Sequence, residues 1–370
     1  MGESSLMAEH VLVFAGCLNR EAPYHQGARG RGIAVLALDE ASGRLDLLSE
    51  HDDMDNPTFL SVAPDRRTLF ASSEVFGRRE GVVAAFRIGP EGELAYLNMQ
   101  ASQGSICAHN AVSADGRFLL LANYGMGEGG PDRSVVAFPI RDDGTLGPAV
   151  AALAHRGGVG PDAARQERPH AHCVRPLGDD GTLLVTDLGL DRIMACRLGA
   201  DGALEARGET ALPPGSGPRH LAATRDGSAV FVVNELSSTV QSFRRGADGA
   251  LHPVSSCPAV PDGTQGNHCA DLHLSPDDRF LYASNRGHDS IAVFAVGEGA
   301  AIEPRGHVAT GGATPRSFAI TPSGRHLVVG NQNSDEIAVL ARNAGDGSLI
   351  DTGRRARVGT PMCIRVETMP

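Results

Sequence analysis

The sequence predicts an all-β fold, a seven-bladed β-propeller with four antiparallel strands per blade, the last blade closed by strands from the two chain ends. Three observations predict it. The 46 glycines and 22 prolines among 370 residues are too many for a helical protein, and they recur as DG, GG and PD turn signals between short apolar runs. One hairpin phrase returns six times at a nearly even spacing. A strand lacking its partner stands near each end of the chain.

The phrase reads SVAPDRRTLFASSE (61–74), AVSADGRFLLLANY (111–124), CVRPLGDDGTLLVTDL (173–188), LAATRDGSAVFVVNEL (221–236), DLHLSPDDRFLYASNR (271–286) and FAITPSGRHLVVGNQ (318–332). Each copy is a short apolar strand, a polar turn and a second strand rich in β-branched and aromatic residues, which is a hairpin signal. With Asp65, Asp115, Asp180, Asp226, Asp277 and Ser323 as turn markers, the spacings are 50, 65, 46, 51 and 46. Between hairpins lie two further strands, such as VVAAFRIG (82–89) with GELAYLN (92–98), or SIAVFAV (290–296) with AIEPRGHVA (301–309). Four strands in roughly 50 residues make one propeller blade.

The seventh blade is assembled from both ends. VLVFAG (11–16) resembles the second strand of the phrase and is followed by GIAVLALD and RLDLLSEH as third and fourth strands, so PMCIRV (361–366) supplies the missing first strand. Closure removes the open sheet edge that invites aggregation. A single domain over residues 1–370 is expected, with 1–10 as a disordered tail.

Composition excludes several chemistries. All 33 basic residues are arginine and there is no tryptophan. Without lysine there is no Schiff-base amine, no phosphate-loop lysine and no Ser–Lys dyad. The net charge of −11 without a basic stripe argues against nucleic acid. No apolar run approaches the ~18 residues that span a bilayer, so no membrane partner is expected. The first residues lack a basic stretch followed by an apolar one and a cleavage site, and seven scattered cysteines without a CxxC fit reduced thiols, so a cytoplasmic protein is expected. A monomer or weak homo-oligomer is the expected assembly, with no residue pattern of its own behind it.

Symmetry of the hairpins locates a site. The DG-type turns mark one face of the ring, so residues before the first strand and after the second share the other face, at the mouth of the central channel. Reflection about each turn pairs Arg219 with Glu235, His109 with Asn123, His268 with Arg286, Arg316 with Gln332, Asn56 with Glu74, and His172 with Asp187. Strand ends are often polar for loop reasons alone. Ordinary turns, however, call for Asn, Asp and Gly rather than repeated His and Arg.

The phrases RQERPHAHCV (165–174), GPRHLAATRDGSAVFVVNELSSTV (217–240), SPDDRFLYASNRGHDSIAVF (275–294) and ATPRSFAITPSGRHLVVGNQNSDEI (313–337) resemble the seven-bladed lactonase family. That family includes propeller-type 6-phosphogluconolactonases and fungal carboxymuconate cyclases. The resemblance covers nearly the whole chain and implies the PHAH histidine, the GPRH arginine, the NEL glutamate and the SNR arginine as catalytic: His172 (or His170), Arg219, Glu235 and Arg286. Where the family has Pro-Cys-His, this chain has Cys107-Ala108-His109.

Lactone hydrolysis needs a base to activate water and a cationic or hydrogen-bonding group for the oxyanion. Glu235 or His172 suits the first role, Arg219 and Arg286 the second, since guanidinium grips carboxylate and phosphate bidentately. His109, Asn123, His170, Asp187, His268, Arg316, Gln332 and Arg165 are the expected substrate-binding residues. The long 152–169 segment would carry Arg156, Arg165 and Arg168 onto the rim as an anion clamp. Residues His170 and His172 alternate across a regular strand, so only one should face the channel and the other should pack between blades. Neither a metal nor a cofactor is expected, and no GxSxG elbow supports a serine nucleophile. The favoured function is hydrolysis of a sugar or phosphosugar lactone, with a small anionic lactone as partner. A carboxymuconate lactonising enzyme and a non-catalytic binding propeller are the alternatives.

Overall fold

The computed structural model describes residues 10–126 and 130–369. Its strands form seven four-stranded antiparallel sheets arranged as the blades of a propeller. The expected tail falls outside the described residues except for His10, which opens the strand His10–Cys17.

Blade 1 closes the ring. Pro361–Met369 is its innermost strand and pairs with His10–Cys17, followed by Ile33–Asp39 and Arg44–His51. Phe14 stands opposite Arg365 and Gly16 opposite Cys363, so the two termini are stitched together along one ladder. Gly16 is required there, because a Cβ would lie 2.1 Å from the Pro57 carbonyl oxygen of the next blade. The innermost strands of blades 2 to 7 are Pro57–Val62, Cys107–Val112, Ala171–Leu177, Pro218–Ala223, His268–Leu274 and Pro315–Ile320.

Blade 5 shows why these residues become strands in this order. Its second strand, Ala229–Asn234 with the sequence AVFVVN, is buried at every position, because both of its faces are covered. Side chains alternate between faces. Val230 and Val232 therefore pack with Leu184 and Ile193 of blade 4, while Phe231 and Val233 pack with Leu281 and Phe294 of blade 6. The fourth strand, Leu251–Pro258, faces solvent and is accordingly mixed in polarity. The DG turn between the first two strands is held by Asp226 Oδ1, which accepts hydrogen bonds from Thr224 Oγ1 at 2.7 Å and from the Ser228 N–H at 3.0 Å. Gly227 takes the left-handed φ of 66° that the turn requires. Asp115 repeats the device, accepting from Ser113 Oγ at 2.6 Å and from the Arg117 N–H at 3.1 Å. These turns all lie on the face opposite the pocket described next.

Candidate functional site

Six of the seven innermost strands carry a one-residue β-bulge at the same height. The register skips Met362, Thr58, Ala108, His172, Arg219 and Arg316 in turn; in blade 6 the irregularity is longer, between Cys269 and Leu272. A bulge aims its extra residue out of the ladder and resets the alternation behind it. All six skipped residues line one cavity of about 600 Å³ at the mouth of the channel. That volume suits a small organic ligand. The residues that follow the six bulges, Phe59, His109, Cys173, His220, Ser317 and Cys363, line a second, smaller cavity one layer deeper, together with Asp271 from the irregular stretch of blade 6.

Glu235 is the centre of the mouth. Its Oε1 accepts a hydrogen bond from Arg165 Nη2 at 2.8 Å and lies 3.2 Å from Arg286 Nη2. Its Oε2 lies 3.0 Å from Arg219 Nε, whose N–H is not directed at that oxygen and is left without an acceptor. Burial opposes charge on this carboxyl, but Arg286, Arg219 and Arg165 outweigh it and hold Glu235 well below the usual carboxylate range. Arg219 donates through Nη1 to the Ala270 carbonyl at 2.7 Å. Burial, with Arg286 and Arg316 nearby, presses its pKa down to about 9, so it keeps its charge at neutral pH.

A second carboxylate lies across the cavity. Glu74 accepts from the Tyr24 hydroxyl at 2.9 Å and faces Arg316 Nη2 at 3.7 Å, while the Arg316 guanidinium sits 5.0 Å from the Tyr24 ring centroid. Four arginines thus surround two buried carboxylates, an excess of positive charge that favours an anion.

His172 is buried beside Arg219, and its Nδ1 has no hydrogen-bond partner. Burial, then the charges of Arg219 and His220, push its pKa well below the usual histidine value, so the ring is neutral at pH 7. His109 is driven the same way by burial and His220, and burial with Arg219 brings His220 down to about 4. Because the unfolded chain binds a proton at His220 below pH 6.5 and the folded one does not until about 4, folding stability should fall as pH drops through that window. Thermal melts of wild type and His220→Gln between pH 7 and 4.5 check this: the variant's Tm should decline less steeply, and equal slopes would refute it.

Of the residues singled out from the sequence, His172, Arg219, Glu235, Arg286, His268, Arg316, Gln332, His170 and Arg165 line this one cavity. Three do not. His109 follows the bulge at Ala108 and so points into the deeper layer, where its ring lies tilted by 33° against Phe59 with ring centroids 4.0 Å apart. Asn123 stands behind the wall, its amide donating to the Ser102 and Arg133 carbonyls at 2.9 Å. Asp187 is a loop anchor, accepting from the His170 N–H at 2.8 Å and pairing with His155 at 2.7 Å.

The alternation expected for His170 and His172 is also corrected. The strand is bulged at His172, and both rings reach the cavity. His170 is nonetheless wedged against the neighbouring blade, stacked on Tyr124 at 4.1 Å with Nδ1 directed at the Tyr124 carbonyl. Of the three arginines expected as a clamp, only Arg165 lines the cavity, whereas Arg156 is exposed and Arg168 faces Glu167 at 3.7 Å. Sequence reasoning missed Thr58, Phe59, Met362 and His220, because hairpin symmetry assigns one residue per strand and ignores the bulge. Among the described residues no group of His, Cys, Asp and Glu could hold a metal ion. Among the same residues no helix is long and apolar enough to cross a membrane.

Comparison with known proteins finds a match over residues 13–366 to the family model described as Lactonase, 7-bladed beta-propeller. The chain is similar to a 6-phosphogluconolactonase of Bacillus subtilis, with 33% identity over 341 residues covering 90% of this chain and 94% of that protein. It is similar to one of Formosa agariphila at 33% identity over 328 residues, covering 86% and 91%. Among solved structures, a putative 6-phosphogluconolactonase of Bacteroides fragilis matches with a TM-score of 0.86 and 31% identity, over 99% of this chain and all of that one. The periplasmic gluconolactonase of Pseudomonas aeruginosa matches with a TM-score of 0.87 and 32% identity, over 98% of this chain and 100% of that one.

Proposed function

Since the chain belongs to the Lactonase family of seven-bladed β-propellers, we propose that it hydrolyses a sugar or phosphosugar lactone at the channel mouth, as the names of its relatives suggest. The observation that carries the reading is the grouping of Arg165, Arg219 and Arg286 around one buried carboxylate, Glu235, with the neutral ring of His172 alongside.

The two candidate bases are not equivalent in this setting. A general base must be unprotonated at working pH and must face the substrate with a lone pair that no cation already engages. Both Glu235 oxygens face guanidinium groups, which makes it a poor acceptor and a good organiser of the arginines around it. His172 lines the cavity as a neutral ring with no guanidinium hydrogen-bonded to it, so it takes the proton of the attacking water. As the carbonyl carbon becomes tetrahedral, charge develops on its oxygen, where Arg219 and Arg286 supply donors already in place. Collapse of the intermediate breaks the ring C–O bond, and the proton held by His172 passes to the departing alkoxide. Arg316 and Arg165, which both line the cavity, bind the anionic substituent of the substrate.

A panel of 6-phosphogluconolactone, unphosphorylated gluconolactone and a carboxymuconolactone, followed by pH-stat, tests this. The expected result is catalysed opening of the sugar lactones, with kcat/KM highest for the phosphorylated one. Failure to exceed spontaneous opening on any of them would overturn the enzyme reading.

A further inference from the structure

His220, which follows Arg219 in the chain, has no role in the chemistry above. His220 follows the bulge, so it lines the floor of the mouth and the roof of the deeper cavity at once. Its Nε2 lies 3.2 Å from Arg219 Nη1, and its Nδ1 lies 2.8 Å from Asp271 Oδ1. A guanidinium has only donors, and an ionised carboxylate has only acceptors. These two neighbours therefore demand one arrangement, with the proton on Nδ1 donated to Asp271 and the Nε2 lone pair turned to Arg219.

Asp271 is itself held from several sides. Its Oδ1 accepts from the Leu272 N–H at 2.9 Å and faces His273 Nε2 at 3.2 Å. Its Oδ2 accepts from Ser317 Oγ at 2.9 Å and from the Phe318 N–H at 3.2 Å. Ser317 Oγ in turn accepts from the Ile364 N–H at 3.1 Å. The innermost strands of blades 5, 6, 7 and 1 are thereby joined beneath the site, and Arg219 rests on the end of that chain.

We infer that His220, locked as the Nδ1-protonated tautomer by Asp271, is a positioning residue that fixes the Arg219 guanidinium for the charge that develops on the substrate oxygen. The inference deepens the lactonase reading and rests on it for its kinetic consequence. Its structural content, a single tautomer set by Asp271, stands apart from activity. The logic follows the general role of a carboxylate that selects the tautomer of a neighbouring imidazole.

The test uses Asp271→Asn, His220→Gln, His220→Leu and the Asp271→Asn/His220→Gln double variant, measured on whichever lactone the wild type opens. An asparagine at 271 can offer its own N–H to Nδ1, which moves the ring proton to Nε2 and sets donor against donor at Arg219. Asp271→Asn should therefore lower kcat by about 10- to 100-fold with KM nearly unchanged. A glutamine at 220 keeps most of kcat, since its amide offers a carbonyl to Arg219 and an N–H to Asp271, whereas leucine loses about as much as Asp271→Asn.

In the glutamine background, Asp271→Asn should cost little, because an amide can turn its carbonyl toward Arg219 whatever stands at 271. An equal loss in both backgrounds overturns the inference, and so does a leucine variant as active as glutamine. The latter comparison decides the matter even if Asp271→Asn does not fold. Nitrogen-15 spectra of the imidazole rings, with His220 identified by its absence from His220→Gln, separate this inference from the function. Wild type should show His220 protonated at Nδ1 even if no lactone is opened, and protonation at Nε2 would overturn the inference.

Discussion

Arg219→Ala is expected to lower kcat for lactone opening by at least about 100-fold, the loss that follows removal of a preorganised donor from a developing oxyanion. The guanidinium is buried, with Nη1 bonded to the Ala270 carbonyl and Nε beside Glu235, so it is in place before substrate arrives. Arg165 and Arg286 still face Glu235 in the variant, and that carboxylate does not become an unpaired buried charge. The fold should survive for this reason, with KM rising far less than kcat falls. Steady-state rates by pH-stat on the best wild-type substrate check the result, and a variant within a few-fold of wild type would remove Arg219 from the mechanism.

Glu235→Gln is expected to cut kcat by a similar factor, about 100-fold or more, for a different reason. The carboxylate is what holds three guanidinium groups within a few ångströms of one another. With a neutral amide the arginines repel, and donors aimed at the reacting oxygen scatter. The pocket also gains one unit of positive charge, so KM for a phosphorylated lactone should hold or fall while kcat drops. A rise in KM without a change in kcat would refute the assignment.

The same variant carries a stability signature. Breaking a buried ion pair from one side costs about 3 kcal/mol. The folded carboxyl is held below its ordinary value of 4.5, so the stability it contributes is fully present above that pH and is lost as pH falls through the folded value. The Tm gap between wild type and Glu235→Gln should accordingly be full at pH 7 and narrow below about pH 4.5. A gap that does not change with pH would mean that the ion pairs do not stabilise the fold.

The blades are legible in the sequence because their signals are local. Strand alternation, DG turns held by Asp226 and Asp115, and a repeat near 50 residues each depend on a few neighbouring residues. Closure of the ring by Pro361–Met369 against His10–Cys17 was also readable, since one strand was missing and one was spare. Reflection about the turns brought Arg219, Glu235, Arg286 and Arg316 to one face for the same reason: hairpin partners are set by counting.

Counting alone does not reveal which side of the strand a residue takes once the ladder is irregular. A single bulge in six of the seven innermost strands moved His109 down to the deeper layer, brought His172 to the mouth together with His170, and put His220 beneath Arg219. The bulge has no sequence signature of its own, because it arises where seven strands converge on one axis. Pairings between blades were equally out of reach. Arg165 meeting Glu235 across 70 residues, and His220 meeting Asp271 across 51, are distances that only the packed ring makes short. Local pattern dictated the number and order of strands, whereas convergence of the blades decided which side chains share charge, and the proposed chemistry depends on that sharing.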